Sequence, residues 1–268
     1  MTPIELIAYI KENDLKKKNL LVVTGAGVSL ASGIPTFRGS DPGAVWANDV
    51  LEKATLAFFH RSPVESWLWY LEKFAKFANA KPNDAHVALA ELEKLWQGNF
   101  LLMTQNIDTL HEQAGSQKLI KVHGSIDKIR CSRRGCSSAA PNGTIPYSLF
   151  ECRLKALIED PKIHNIPRCA ICRKLLRPHV LWFDEYYQEH IDYQYSRLLE
   201  FLKTFDAVMF IGTSISVSVP EHIFQVAQRE KKRIIIIDPV YKPSMIDILI
   251  VDVKAQAELF LPELIKQL

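Results

Sequence analysis

Five apolar runs, each five or six residues long and each ending abruptly in small or polar residues, restrict this chain more than any other feature. They are NLLVV before TGAG, NFLLM before TQNID, KLIKV before HGS, DAVMFI before GTS, and RIIII before DP. Runs this continuous suit strands covered on both faces, as parallel strands are. Between them lie stretches of helical periodicity such as DAHVALAELEKLW and PEHIFQVAQREKK. Strand alternating with helix predicts an α/β fold, a doubly wound parallel sheet of the Rossmann-like kind. Ligands of such sheets bind beyond the carboxyl ends of the strands, near the point where the strand order reverses. The polar clusters TGAG, TQNID, HGS and GTS are therefore expected to line one crevice.

The first of these ends, LLVVTGAGVSLASGIPTFRG at residues 20–39, begins like a dinucleotide turn and finishes differently. Gly25 and Gly27 are in place, but the third glycine of the nicotinamide-binding fingerprint is Leu30, and no acid closes a second strand about 20 residues on. The rest of the chain narrows the class. With 268 residues, 48% of them apolar, it can bury a sizeable core. A balance of 33 basic and 30 acidic residues argues against direct nucleic-acid binding, and the short runs LKKKN and REKKR read as solvated surface. No segment approaches the roughly 20 apolar residues of a membrane span. The opening MTPIELIAYIKENDLKKK has helical spacing rather than the form of a signal or transit peptide. A cytoplasmic protein with reduced thiols is the expectation.

One region breaks the alternation. Residues 127–177 are rich in Pro, Ser, Arg and Cys, and carry Cys131 and Cys136, then, with 32 residues between the pairs, Cys169 and Cys172. Tetrahedral zinc takes two ligands from each of two tight turns, and an insertion too small to build its own core gains from such a site. Isolated thiols are the plainer alternative. Cys152 lies on SLFECRLKALIED, a predicted helix, and reads as a semi-buried free thiol. The expected organisation is a large domain formed by residues 1–126 and 178–268, with a zinc-binding module at 127–177. A helical segment around 40–80 is a candidate to join the smaller unit.

With these pieces placed, the chain resembles the sirtuin family of NAD-dependent protein-lysine deacylases over about residues 18–266. The motifs that carry the resemblance are GAGVSLASGIPTFRG, KPNDAHVALAELE, TQNIDTLHEQAG, VHGS, the two cysteine pairs, LLRPHVLWFDE, FIGTS and FLPEL. The resemblance implies two cofactors, NAD and structural zinc, and acylated lysine side chains of proteins as substrates. The implied reaction releases nicotinamide and transfers the acyl group to ADP-ribose. In it His123 acts as base toward a ribose hydroxyl, and an imidazole titrates near the working pH. Asn106 and Asp108, flanking Ile107 and preceded by Gln105, would order the ribose and the carboxamide. Gly25, Ala26 and Gly27 would bring backbone N–H groups to the pyrophosphate at a helix N-terminus, with Ser29 beside them. Thr36, Phe37 and Arg38 would cover the reacting half of the dinucleotide, on a loop that Pro35 and its neighbouring glycines let close. Gly212, Thr213, Ser214, Asp238 and Ala255 would meet the adenosine half. Val180 and Phe183 would line the tunnel for the acyl-lysine stem, with the peptide backbone adding as a strand.

Several positions depart from the family text. Asp238 stands where many relatives have asparagine, and a carboxylate favours ribose hydroxyls over a 2′-phosphate. Val253 replaces a usual glycine, the proline after GTS is shifted, and Asp184 replaces a common glycine beside the peptide groove. On the helix ESWLWYLEKF, Tyr70 and Lys73 stand where a desuccinylase-like branch of bacterial and mitochondrial members has tyrosine and arginine. Residues three apart share a helix face, but lysine lacks the planar fork of arginine. Acetyl is therefore the expected acyl group, with succinyl or malonyl as the alternative. Ordinary amphipathicity, with Tyr70 packed and Lys73 in water, explains this pair equally well. ADP-ribosyl transfer, plain NAD hydrolysis and a non-catalytic NAD-binding module are the other readings. Oligomeric state is open, and a monomer is compatible with all of them.

Overall fold

The computed structural model describes residues 1–35, 50–136, 143–216, 218–241 and 249–268. The chain opens with α1 (Pro3–Glu12), started by a capping box in which Thr2 and Glu5 satisfy each other's backbone N–H. It continues through β1 (Leu20–Thr24), α2 (Val50–Lys53), α3 (Leu56–Arg61), α4 (Pro63–Phe77), α5 (Asp84–Leu95), β2 (Phe100–Thr104), α6 (Leu110–Gln113) and β3 (Leu119–Lys121). Then come β4 (Gly124–Cys131), β5 (Ile145–Pro146), α7 (Glu151–Glu159) and β6 (Leu176–Val180). The chain closes with α8 (Tyr195–Phe201), β7 (Ala207–Ile211), α9 (Ser218–Arg229), β8 (Arg233–Ile237), β9 (Ile250–Val253) and α10 (Ala257–Gln267).

The six-stranded sheet has the order β3-β2-β1-β7-β8-β9, and every pairing in it is parallel. Strand side chains alternate between its faces, so each apolar run feeds two cores. Leu20, Val22, Phe100, Leu102, Met209 and Ile235 join α1, α5 and α10 on one side. Leu21, Val23, Leu101, Met103, Phe210 and Ile236 meet α8 and α9 on the other. The order reverses between β1 and β7, which makes the end of that strand pair the switch point. All five strands expected from the apolar runs are present. The sixth, β9, lies in text that mixes charges with its apolar residues, and it pairs with β8 through Ile250 to Val253.

A second sheet, antiparallel and ordered β5-β4-β6, packs with α3, α4 and α7 around a separate core. Its strand β4 begins at Gly124 and reaches Cys131, so it runs across residue 127. Cys152 is exposed on α7 rather than semi-buried, because its helix buries Leu154 and Leu157 instead. Among the described residues no helix is long and apolar enough to cross a membrane.

Candidate active site

The polar clusters that follow the strands gather along one edge of the large sheet. At the switch point the loops after β1 and β7 touch backbone to backbone. The Gly25 N–H donates to Ile211 O (3.2 Å) and the Gly27 N–H to Gly212 O (2.9 Å). A Cβ at Gly25 or Gly27 would sit 2.8 Å from Gly212 backbone atoms. Gly212 itself has φ +56° and would drive a Cβ to 2.6 Å from Val28 N. Glycine is needed at all three places because the two strand ends would otherwise be forced apart. The expected role of this turn needs one correction. The N–H groups of Gly25 and Gly27 are taken by β7 and the residue after it, and the segment that follows Gly25 and contains Gly27 (Ala26–Ser32) is a 3-10 helix, not an α-helix.

Behind the crevice a hydrogen-bonded chain fixes Asn106 and Asp108. The Asn83 N–H donates to His86 Nδ1 (3.3 Å), so His86 carries its proton on Nε2, which faces Ser29 Oγ at 3.4 Å. Ser29 in turn donates to Asp108 Oδ2 (3.0 Å) and accepts from Asn106 Nδ2 (3.1 Å). Asn106 Nδ2 also donates to Gly25 O (3.0 Å), and Asp108 Oδ1 accepts from Leu110 N–H (3.0 Å). Burial pushes His86 down to about 4, so it remains neutral within this chain. Asn83 caps α5, and its side chain also donates to Val28 O and Ser32 Oγ. Asn83 and His86 had no assigned role in the sequence reading. A helix start written as PNDAH was the available signal.

His123 occupies the two-residue turn between β3 and β4, where the two sheets meet. Its Nδ1 lies 2.8 Å from Gln105 O, and since a carbonyl only accepts, Nδ1 carries the proton. Nε2 is thereby left with the lone pair. Burial lowers the imidazole below its ordinary range, with the Gln105 bond acting in the opposite direction. The Leu181 N–H donates to His123 O (2.9 Å), tying the histidine to the chain just after β6. The next residue, Gly124, has φ +83° and would place a Cβ 2.1 Å from His179 O, so no side chain fits there. Gln105 joins the pieces: its Nε2 donates to Thr24 O (3.2 Å) and Thr213 Oγ1 (3.0 Å). Ile107 O accepts from Ile126 N–H (2.9 Å).

At the far end, Thr213 is buried, and Ser214 is exposed with its hydroxyl 2.7 Å from Ser216. Asp238 follows β8, and its Oδ1 accepts from the N–H groups of Val240 and Tyr241, both at 2.9 Å. Ala255 packs at the rim of the first core, just past the fully buried Val253. Thr36, Phe37 and Arg38 lie outside the described residues.

The four cysteines of the two pairs converge. Cys131 and Cys172 Sγ are 3.4 Å apart, Cys136 and Cys169 Sγ 3.8 Å, and all four lie within 4.8 Å of one another. Tetrahedral zinc with Zn–S bonds near 2.3 Å places its sulfurs about 3.8 Å apart. A disulfide would need about 2.05 Å. The residues fit a zinc ion, and four thiolates leave no position for a catalytic water. A second cluster, His179, His190 and Asp192, also brings possible ligands together. There the Asp192 N–H donates to His190 Nδ1 (3.2 Å), which places the proton on Nε2. Lys128 Nζ and Thr144 Oγ1 both lie 3.0 Å from Asp192 Oδ2. That arrangement is polar packing, already occupied by a lysine.

The strand expected to meet substrate is anchored on both sides. Val180 is buried in β6 opposite Gly124, and Phe183 is half exposed with its N–H donating to Ala54 O (3.0 Å). Asp184 is exposed, yet its carboxylate is not slack. Its carboxylate accepts from Leu56 N–H (2.7 Å) and Ala57 N–H (3.0 Å), capping α3 from 127 residues away. Asp184→Ala removes this cap and is expected to cost about 1 kcal/mol, read as a lower midpoint in urea with unchanged slope. Glu185 holds Arg177 (2.6 Å) and Arg130 (2.8 Å) in a buried ion pair and accepts from Trp182 N–H. Tyr70 is packed at 1% exposure, its hydroxyl accepting from Trp182 Nε1 (2.5 Å). Lys73 is not in water. Its side chain is buried, with Nζ 5.7 Å from the Trp69 ring and 3.6 Å from Glu72.

A doubly wound parallel sheet, with a four-thiol module inserted after β3 and a histidine at the junction, defines an α/β protein of the dinucleotide-binding type. The chain matches the sequence model of the Sir2 family over residues 25–219. It is 34% identical over 263 residues to an NAD-dependent protein deacylase of Leptospira interrogans, covering 97% of each chain. A relative of the same description from Aquifex aeolicus is 36% identical over 230 residues, 85% of this chain and 87% of that one. A crystal structure of a Sir2 homolog–NAD complex superposes with a TM-score of 0.74 at 34% identity, covering 94% of this chain and 90% of the other. The protein belongs to the Sir2 family.

Proposed function

We propose that the protein is an NAD-dependent protein-lysine deacylase, acetyl being its preferred acyl group. The observation that carries the reading is the locked imidazole of His123: Nδ1 is held by Gln105 O, and Nε2 is left as a base where the two sheets meet. Membership of a family whose relatives bear the name deacylase supports it. The crossing at Gly25, Gly27 and Gly212 lies at the switch point of the sheet, where dinucleotides bind in folds of this kind. NAD supplies a ribose carbon made electrophilic by loss of nicotinamide. His123 accepts a proton at Nε2, while Asn106 and Asp108, held by Ser29, position the ribose and carboxamide. Thr213, Ser214, Asp238 and Ala255 serve the adenosine half, and Thr36, Phe37 and Arg38 cover the reacting half. Cys131, Cys136, Cys169 and Cys172 hold a structural zinc. The three cores fit a large NAD-binding domain, with one on each face of its sheet, and a smaller unit in which the helices of residues 50–77 join the zinc module. The partners are acylated lysines of proteins in the cytoplasm.

The test is incubation of NAD with and without an acetylated peptide. Nicotinamide appearing only with peptide, together with acetylated ADP-ribose by mass spectrometry, supports the reading. Release without peptide identifies an NAD hydrolase instead.

Acyl preference turns on Lys73. A buried ammonium beside Trp69 offers a point charge where arginine would offer a fork. Lys73→Arg is expected to raise the ratio of desuccinylation to deacetylation by about tenfold, the worth of one charge-assisted hydrogen bond. An unchanged ratio places Lys73 outside the acyl pocket. Strong preference of the unaltered protein for succinyl-lysine overturns the acetyl assignment.

A further inference from the structure

Tyr187 has no role in the reading above, yet its hydroxyl lies within hydrogen-bond reach of the working atom of His123. Its hydroxyl lies 3.4 Å from Nε2, the nitrogen that the Gln105 bond leaves unprotonated. A phenol O–H is the only member of that pair able to donate, so the bond runs from Tyr187 to the imidazole. The same hydroxyl lies 3.2 Å from Ser218 Oγ, at the start of α9. Its ring is fixed from behind by Tyr195, with centroids 5.1 Å apart and planes 22° apart, and it lies nearly parallel to His123 itself. Tyr187 belongs to a short 3-10 turn (Tyr187–Glu189) just past the strand that carries Val180 and Phe183.

We propose that Tyr187 is a positioning residue for the base. Its hydroxyl donates to His123 Nε2 while its oxygen accepts from Ser218 Oγ, and so holds the imidazole neutral and aimed until a substrate hydroxyl takes that place. The inference rests on His123 being the base. Burial pushes the Tyr187 phenol up, which keeps it a donor across the physiological range. The groups that set His123 are its burial and the Gln105 carbonyl, and no charged side chain contributes to its shift. A neutral donor therefore acts there without competition from a nearby charge.

The sign of the effect follows. A hydrogen bond donated to Nε2 stabilises the neutral ring and lowers its pKa. Tyr187→Phe keeps the aromatic stack, removes the donor, and should raise the His123 pKa by roughly half to one unit. Ser218→Ala, at an exposed position, removes the bond donated to the phenol oxygen, weakens the phenol as a donor and should shift it the same way by less.

The experiment is a pH titration of histidine-labelled full chain by NMR, with His123 assigned through His123→Ala, in the unaltered protein and both variants. A rise in Tyr187→Phe with a smaller rise in Ser218→Ala supports the proposal. No shift in folded Tyr187→Phe, or a fall in either variant, overturns it. Should Tyr187→Phe fail to fold, Ser218→Ala decides alone: a rise supports, and no change or a fall overturns. In turnover, Tyr187→Phe should move the acid limb of kcat/KM to higher pH, a loss of roughly threefold to tenfold below the limb and none above it, with NAD affinity unchanged. The titration needs no activity. Absent deacylation would sink the deacylase reading while leaving the His123–Tyr187 result to stand or fall separately.

Discussion

His123→Ala lowers the rate of deacylation by about 10² to 10⁴, the worth of a positioned general base, while NAD still binds. The separation is expected because the imidazole meets the crevice through Nε2 alone. Its Nδ1 and backbone carbonyl serve Gln105 and Leu181. The residues assigned to the dinucleotide lie on other strand ends. Burial lowers the imidazole pKa, so the base form is already dominant at neutral pH. The loss of activity on acidification should begin below the ordinary histidine value of about 6.5. Isothermal titration of NAD beside single-turnover assays of an acetyl peptide checks both halves. Near-normal turnover in the alanine variant would mean that another group takes the proton.

Cys131→Ser is expected to abolish zinc binding and to melt the smaller unit. Binding free energy at structural zinc sites is folding energy, about 10 to 16 kcal/mol in small zinc modules at neutral pH. The core of the smaller sheet has Cys131, Cys136 and Cys169 among its buried residues, next to Ile129, Leu154 and Ile166. Opening the thiol cluster therefore exposes the apolar residues around it. Zinc needs its ligands as thiolates, so acid should release the metal. Metal analysis and hydrogen exchange check the claim. The unaltered chain should carry one zinc, and the serine variant should carry none and lose protection in β4 and β6 first. Carefully purified protein without zinc, equally stable in chelator, would refute it.

Legibility tracked local pattern. The five apolar runs announced five strands because burial on both faces leaves no room for polar alternation. The two cysteine pairs announced their cluster by spacing alone. β9 escaped because it lies at the sheet edge, where Asp252 is only partly covered and pairs with Lys254 (2.7 Å). Strand β4 falls across the end of HGS and the start of the cysteine region at 127, where the text marks no strand, since its pairing with β6 joins residues about 50 apart. No window of sequence contains that partner.

By itself the sequence determined which residues end the strands and therefore which face the crevice: Gly25, Gln105, His123, Gly212 and Asp238 stand where apolar runs stop. Only the tertiary structure decided what each of them does. The N–H groups of Gly25 and Gly27 turned toward β7 because two parallel strand ends at the switch point lie close enough to bond. Asp184 became the cap of α3, and Tyr187 came to rest on His123, because folding brought residues 64 or more positions apart within hydrogen-bond reach. Periodicity reports burial, which is a property of each residue alone. A hydrogen bond is a property of a pair, and its geometry exists only once both ends are fixed.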